Sequence, residues 1–176
     1  MKRRDLEHLI RAAGAIAESD LIVIGSQAIL GQHPDAPAEA LRSIEADLIP
    51  VQFPERWALI DGAIGEGSPF HETFGYYADG VEERTAVLPT GWRKRLVPVR
   101  NENTHGVTGY CLEVHDLLIS KYVAGRPKDM EFTAAVTGAG LADLETLLSR
   151  LEDTPVEPDQ VALVSARIHR DFAPRD

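Results

Sequence analysis

The run Leu21-Ile22-Val23-Ile24, followed at once by Gly25-Ser26, limits the possible folds of this 176-residue chain more than any other feature. Four aliphatic residues ended by a glycine predict a strand buried on both faces. Gly25 and Ser26 then open a short helix over Gln27 to Leu30. After a Pro-containing loop, Ser43-Ile44-Glu45-Ala46-Asp47-Leu48-Ile49 predicts a second strand. Side chains on a strand alternate between its faces, so Ile44, Ala46 and Leu48 share one face and Glu45 and Asp47 the other. The Cα atoms of the two acids then lie roughly 6.5–7 Å apart, two steps along a strand that rises about 3.3 Å per residue.

Carboxylates held this close repel each other unless a proton or a cation sits between them. A divalent ion is the usual solution, because Mg²⁺ takes one or two carboxylates and completes its shell with water and substrate phosphates. The Gly-Ser turn supplies the other half. A glycine lets the backbone approach a ligand, and a helix N-terminus offers free N–H groups and partial positive charge to an anion. Together the two features suit phosphoryl or nucleotidyl transfer. Two rival phosphate motifs are excluded: Gly25 to Gly31 lacks the Lys-Ser/Thr of a P-loop, and no G-x-G-x-x-G follows the strand.

The formal charge of −10 argues against a protein that coats nucleic acid non-specifically, since that affinity comes from neutralising phosphates. A docked RNA would need a local basic patch. The single cysteine, Cys111, rules out an internal disulfide and suits a reducing cytoplasm, which is the expected location. No apolar run approaches the length of about 18 residues that a membrane span needs. Met1-Lys2-Arg3-Arg4-Asp5 leads into a mixed helix rather than an apolar signal core. The length suits one domain, or one domain with a helical appendage.

Along the chain, Leu6, Leu9, Ile10, Ala13 and Ile16 recur at helical spacing and predict an amphipathic helix over Arg4 to Glu18, with His8 on its surface. A short helix follows Pro54 and closes at Gly65. The aromatic stretch Ser68 to Tyr77 reads as a structured loop packed under the sheet, with His71 placed to contact nucleotide or acceptor. Its His71-Glu72 pair is not a zinc motif, because Gly75 stands where the second histidine of H-E-x-x-H belongs. From Gly80 to Val99 the pattern is β-like, broken by the turn Pro89-Thr90-Gly91. Arg93, Lys94, Arg95 and Arg100 form the densest basic cluster, read as a solvated edge strand in preference to an RNA contact. Val107 to His115 predicts a strand with Cys111, Glu113 and His115 on one face. Asp116 caps a helix running to Gly125, and Pro127 starts the next. Leu141, Leu144, Leu147, Leu148 and Leu151 form a core stripe; a linker over 154–158 and a last helix from Gln160 to Phe172 complete the chain.

Gly25-Ser26 followed by Glu45-Ala46-Asp47 resembles the Gly-Ser…[Asp/Glu]-x-[Asp/Glu] signature of the polymerase-β-like nucleotidyltransferase superfamily. The run Asp116-Leu117-Leu118 through Lys121, Ala124-Gly125-Arg126-Pro127-Lys128-Asp129 resembles a block of its small bacterial AbiEii/MenT-type branch. The resemblance covers residues 20–135, with sharp matches confined to these two blocks. It implies an α/β (α+β) fold, a mixed sheet flanked by helices with further helices at the C-terminus. Residues 1–135 would form the nucleotidyltransferase-like domain, and residues 136–176 a helical extension packed on it. It further implies Mg²⁺-dependent transfer, with Mn²⁺ as the substitute ion, of a nucleoside monophosphate from an NTP to a hydroxyl of RNA (a tRNA end) or protein. A toxin–antitoxin role, with a cognate antitoxin as partner, goes with it. Carried over by position, Gly25 and Ser26 hold the triphosphate, Glu45 and Asp47 hold metal, Lys121 contacts phosphate, and Asp129 assists the metal or Lys121. Glu113 is the candidate third carboxylate. The first acid is Glu45 where the superfamily usually has Asp, and the gap from Ser26 is long. An alternative of another class is therefore a catalytically inactive nucleotidyltransferase-fold binding module.

Overall fold

A computed structural model describes residues 1–174 of the chain. The first helix, α1, spans Arg3–Ala17 and buries Leu6, Leu9, Ile10, Ala13 and Ala17, the stripe that its helical spacing predicts. It ends where Glu18 turns left-handed, at φ 51°. Strand β1, Leu21–Ile24, is buried at all four positions, as expected of an aliphatic run with neighbours on both sides and layers above and below. After the 3₁₀ turn Ser26–Gly31 comes β2, Glu45–Pro50. Three shorter strands complete the sheet: β3 at Tyr77–Gly80, β4 at Val97–Val99 and β5 at Gly109–Cys111.

The sheet order is β3-β2-β1-β5-β4. It is mixed, with β1 antiparallel to β2 and β4 antiparallel to β5, while β1–β5 and β2–β3 run parallel. Helix α1 packs with α2 (Trp57–Ile64) on one side. Helix α4 (Val114–Ala124) follows β5 and packs with α5 (Pro127–Gly138), α6 (Leu144–Glu152) and α7 (Pro158–Phe172). The expected α/β architecture, a mixed sheet flanked by helices, is the one observed. The C-terminal helices share the core, since Leu147, Leu151, Val164 and Ile168 are buried against it. No helix among the described residues is long and apolar enough to cross a membrane.

Several expected elements differ. The stretch 68–77 is not a loop: Pro69–Phe74 forms helix α3, capped by the Ser68 hydroxyl, which accepts from the His71 N–H. Its rings Phe70 and Phe74 gather with Tyr76 around His8 of α1, so His8 is half-buried and bonds the Tyr76 hydroxyl at 2.8 Å. Between Gly80 and Val99 only the last three residues form a strand; the rest is a looped strap with two 3₁₀ turns. Ile44 lies just before β2 and is 45% exposed, so the buried face there consists of Ala46 and Leu48. The strand expected over 107–115 stops at Cys111 because Glu113 starts α4, its carboxylate accepting from the N–H groups of His115 and Asp116. Asp116 is therefore not the cap. It is fully buried and receives two hydrogen bonds from Arg95, which removes Arg95 from the supposed solvated edge.

Candidate functional site

Register places the acids. Asp47 pairs with Ile24 of β1 on one side and with Asp79 of β3 on the other, while Glu45 pairs with Tyr77. Directly paired residues on adjacent strands share a face. Glu45, Asp47 and Asp79 consequently converge, with one carboxylate oxygen from each lying within 4.8 Å of the others. Asp79 was not singled out from the sequence. Its signal was the period-two run Tyr77-Ala78-Asp79-Gly80, hidden at the end of an aromatic segment.

The electrostatics of this wall are unfavourable by themselves. Burial, then the charge of Glu45, push the Asp47 carboxyl up from 3.8 to about 7. Burial and the charges of Glu45, Asp61 and Glu66 raise Asp79 to about 6. Among the described residues none of the three makes an ion pair. The Tyr77 hydroxyl donates to Glu45 Oε2 at 3.4 Å, and burial with the same acidic surroundings raises Tyr77 to about 12. Like charges in such proximity need a proton or a cation to relieve them. An all-oxygen trio is the donor set that hard divalent ions such as Mg²⁺ and Mn²⁺ prefer. The residues present therefore fit a divalent ion.

Gly25 explains how the turn comes so close. Its φ is +68°, a left-handed value that glycine adopts freely, and a Cβ placed there would meet Asp47 Oδ2 at 1.9 Å. Only a residue without a side chain lets the backbone lie against that carboxylate. Gly25, Ser26, Glu45 and Asp47 line one cleft of about 400 Å³, and Ser120, Lys121, Arg126 and Lys128 line its other wall. The strap residues Thr85, Ala86 and Val87 border it as well.

Lys121 projects from α4 two turns after its start and is 7% exposed. Its Nζ lies 3.3 Å from Asp129 Oδ1, and the other oxygen of Asp129 receives the Arg126 Nε–H at 2.6 Å. Asp129 is itself 1% exposed and stands behind the two cations rather than with the acid trio. Burial would raise its carboxyl, but the hydrogen bond from Arg126 and the charge of Lys121 outweigh that and hold it below the usual range. Asp129 thus fixes the directions of two cations that border the cleft.

Glu113 is placed elsewhere. Both its oxygens are engaged by the α4 N-terminus and by His115 Nδ1 at 2.7 Å, and these contacts lower its carboxyl despite its burial. It joins neither the acid trio nor the cleft lining. The third acid beside Glu45 and Asp47 is Asp79, because β5 ends at Cys111 and leaves Glu113 at the start of α4. The His71 ring lies tilted against the Tyr77 ring, centroids 4.7 Å apart, and its Nδ1 accepts from the Gly67 N–H. Of the basic cluster, Arg93 pairs with Glu83 and Arg95 with Asp116, so both are internally compensated.

A mixed sheet that sets three carboxylates across a cleft from a lysine, with a Gly-Ser turn between them, has the parts needed to grip a metal–polyphosphate complex. The comparison of the whole sequence with family models agrees. The chain belongs to the family DUF6036, nucleotidyltransferases of unknown function, whose model matches residues 4–162. No curated protein and no solved structure gives a significant match.

Proposed function

We propose that the protein transfers a nucleoside monophosphate from an NTP to a hydroxyl group of RNA or protein, in a reaction dependent on Mg²⁺ or Mn²⁺. One observation carries this reading: the Gly25 backbone lies against the Asp47 carboxylate, so the anion-binding turn and the cation-binding acids share one wall of a single cleft. Family membership supports nucleotidyl transfer as the reaction class.

Glu45, Asp47 and Asp79 hold the metal, which when bound neutralises phosphate charge and orients the reacting oxygens. Gly25 and Ser26 receive the triphosphate oxygens at the turn. Lys121, aimed by Asp129, supplies a positive charge to the phosphates from the opposite wall, and Arg126 adds a second. The acceptor oxygen bonds to the α-phosphorus as the bond to the β-phosphate oxygen breaks. Pyrophosphate leaves with that electron pair, and the hydroxyl proton passes to a carboxylate of the trio. Holding the partners in line accounts for most of the acceleration, since positioning alone is worth several kcal/mol. The resemblance of the block around Lys121 and Asp129 to AbiEii/MenT-type toxins supports a reading with cytoplasmic RNA or protein as target and a cognate antitoxin as partner.

The test is to incubate the protein with each labelled NTP, Mg²⁺ or Mn²⁺, and total RNA or cell lysate. Label transferred by the wild type and lost with Asp47→Ala supports the enzyme. NTP and metal binding without transfer to any acceptor would instead make it a binding module.

A further inference from the structure

We propose that the surface formed by α1 and α3 docks single-stranded nucleic acid, through Lys2, Arg4 and Arg11 for the phosphates and Phe74, Tyr76 and His8 for the bases. This rests on the nucleotidyltransferase reading only for its purpose, which is to present an RNA acceptor; the binding itself stands on other residues.

These six side chains border one open cavity of about 730 Å³ together with Asp5, Thr73 and Asn103. Three cations face a single acid there, in a chain whose net charge is −10. Asp5 lies 3.7 Å from Arg4 and is spoken for by the Lys2 N–H, while Arg11 leans on the Asn103 carbonyl. The Lys2 and Arg4 side chains are exposed. Beside them the rings of Phe70, Phe74, Tyr76 and His8 pack in a group with centroids 4.7–6.1 Å apart. Phe74 remains 47% exposed, an aromatic face left to solvent at the edge of a cationic patch. Cations that track a backbone beside rings that accept bases are the two elements of sequence-tolerant single-strand binding.

Helix α3 connects this surface to the cleft. Phe70 and Phe74 look toward α1, whereas His71 on the same helix lies against Tyr77, whose hydroxyl bonds Glu45 of the acid trio. Helix α3 is thus in contact with the ring surface through Phe70 and Phe74 and with a neighbour of the acid trio through His71. The basic cluster that sequence reading singled out, Arg93 to Arg100, does not compete for this role, because Arg93 and Arg95 are ion-paired within the protein.

The experiment measures anisotropy of a short labelled single-stranded RNA against the full chain, in EDTA and without NTP, over a series of salt concentrations. Binding is expected to weaken with salt at a log–log slope of about −2, for three phosphate contacts at roughly 0.7 each. Arg4→Glu combined with Arg11→Glu should abolish it, and Phe74→Ala should weaken it by about tenfold, the size of one lost base stack. Asp47→Asn should bind as the wild type does, and the same sequence as a duplex should bind less well. Circular dichroism melts verify that each variant is folded; Lys2→Gln, which removes an exposed charge only, should lower the slope by about 0.7. No binding by the wild type, equal binding by the double charge variant, or displacement by an acidic peptide in preference to RNA would overturn the docking surface. If labelled NTP transfer survives while RNA binding ignores these residues, the surface fails and the nucleotidyltransferase reading stands.

Discussion

Asp116 is a buried carboxylate and Asp47 a half-buried one, both among charged neighbours, and their surroundings are opposite. Asp116 receives Arg95 at 2.8 and 3.0 Å, and Arg150 Nε stands 3.3 Å away as an ion pair without hydrogen-bond alignment. Asp47 has Glu45 and Asp79 around it and, among the described residues, no ion pair; Lys121 acts on it through its charge alone. Asp129 belongs with Asp116, being held between Lys121 and Arg126. A buried acid already matched by arginine or lysine stabilises the fold. One surrounded by other acids is left wanting a positive charge that no ion pair among the described residues supplies, and this marks the site.

The contrast breaks most sharply at Asp116. Asp116→Ala leaves Arg95 and Arg150 uncompensated, and removal of one partner from a buried pair costs about 3 kcal/mol or more. Thermal denaturation should show a melting point lower by about 10 °C. The matching change, Asp47→Asn, should leave the melting point of the metal-free protein equal or higher while reducing label transfer by about 100-fold or more, since even supporting groups of metal sites are worth that much. A variant that unfolds instead would show Asp47 to be structural. Gly25→Ala tests the closeness of the turn: its Cβ would press on Asp47 Oδ2, and its backbone would be held at a φ costing about 1–2 kcal/mol. Calorimetry should find weaker Mn²⁺ and NTP binding together, where a Ser26→Ala change weakens NTP alone.

The smallest expected effect is on pH. Asp47 and Asp79 bind protons more tightly in the fold, at about 7 and about 6, than at the ordinary 3.8. Raised acids favour the folded state least when ionised, so the contribution of these two to metal-free stability is full below about pH 4 and is lost as pH rises to about 7. The melting point should drop by a few degrees over that window. Saturating Mn²⁺ should remove most of the drop, and a drop unchanged by Mn²⁺ would show that the trio takes no ion.

Much of this was legible in the sequence. Strand β1, the Gly25-Ser26 turn, the two acids of β2 and the position of Lys121 on α4 all followed from local pattern, because each depends on period and turn chemistry within a few residues. Asp79 did not, because its strand is four residues long and joins the sheet only through β2, a contact made far along the chain. Glu113 was misplaced for the converse reason. Val107 to His115 alternates like a strand, yet only Gly109–Cys111 finds partners, and the carboxylate is taken by the amides of α4. The strap between β3 and β4 has β-like residues, yet 3₁₀ turns at Glu83–Thr85 and Trp92–Arg95 break it, and among the described residues it pairs with no strand.

Strand β2 has a partner on each side, antiparallel β1 and parallel β3. Losing or gaining one codon just upstream of Glu45 would not merely shift the acids along the strand. If pairing held elsewhere, it would turn Glu45 and Asp47 toward the apolar layer under α1 and bring Ala46 and Leu48 into the cleft. Single-residue insertions and deletions at this point should therefore be far more damaging than most substitutions there, whereas the same lesion in the exposed strap around Arg84 should be borne by the loop.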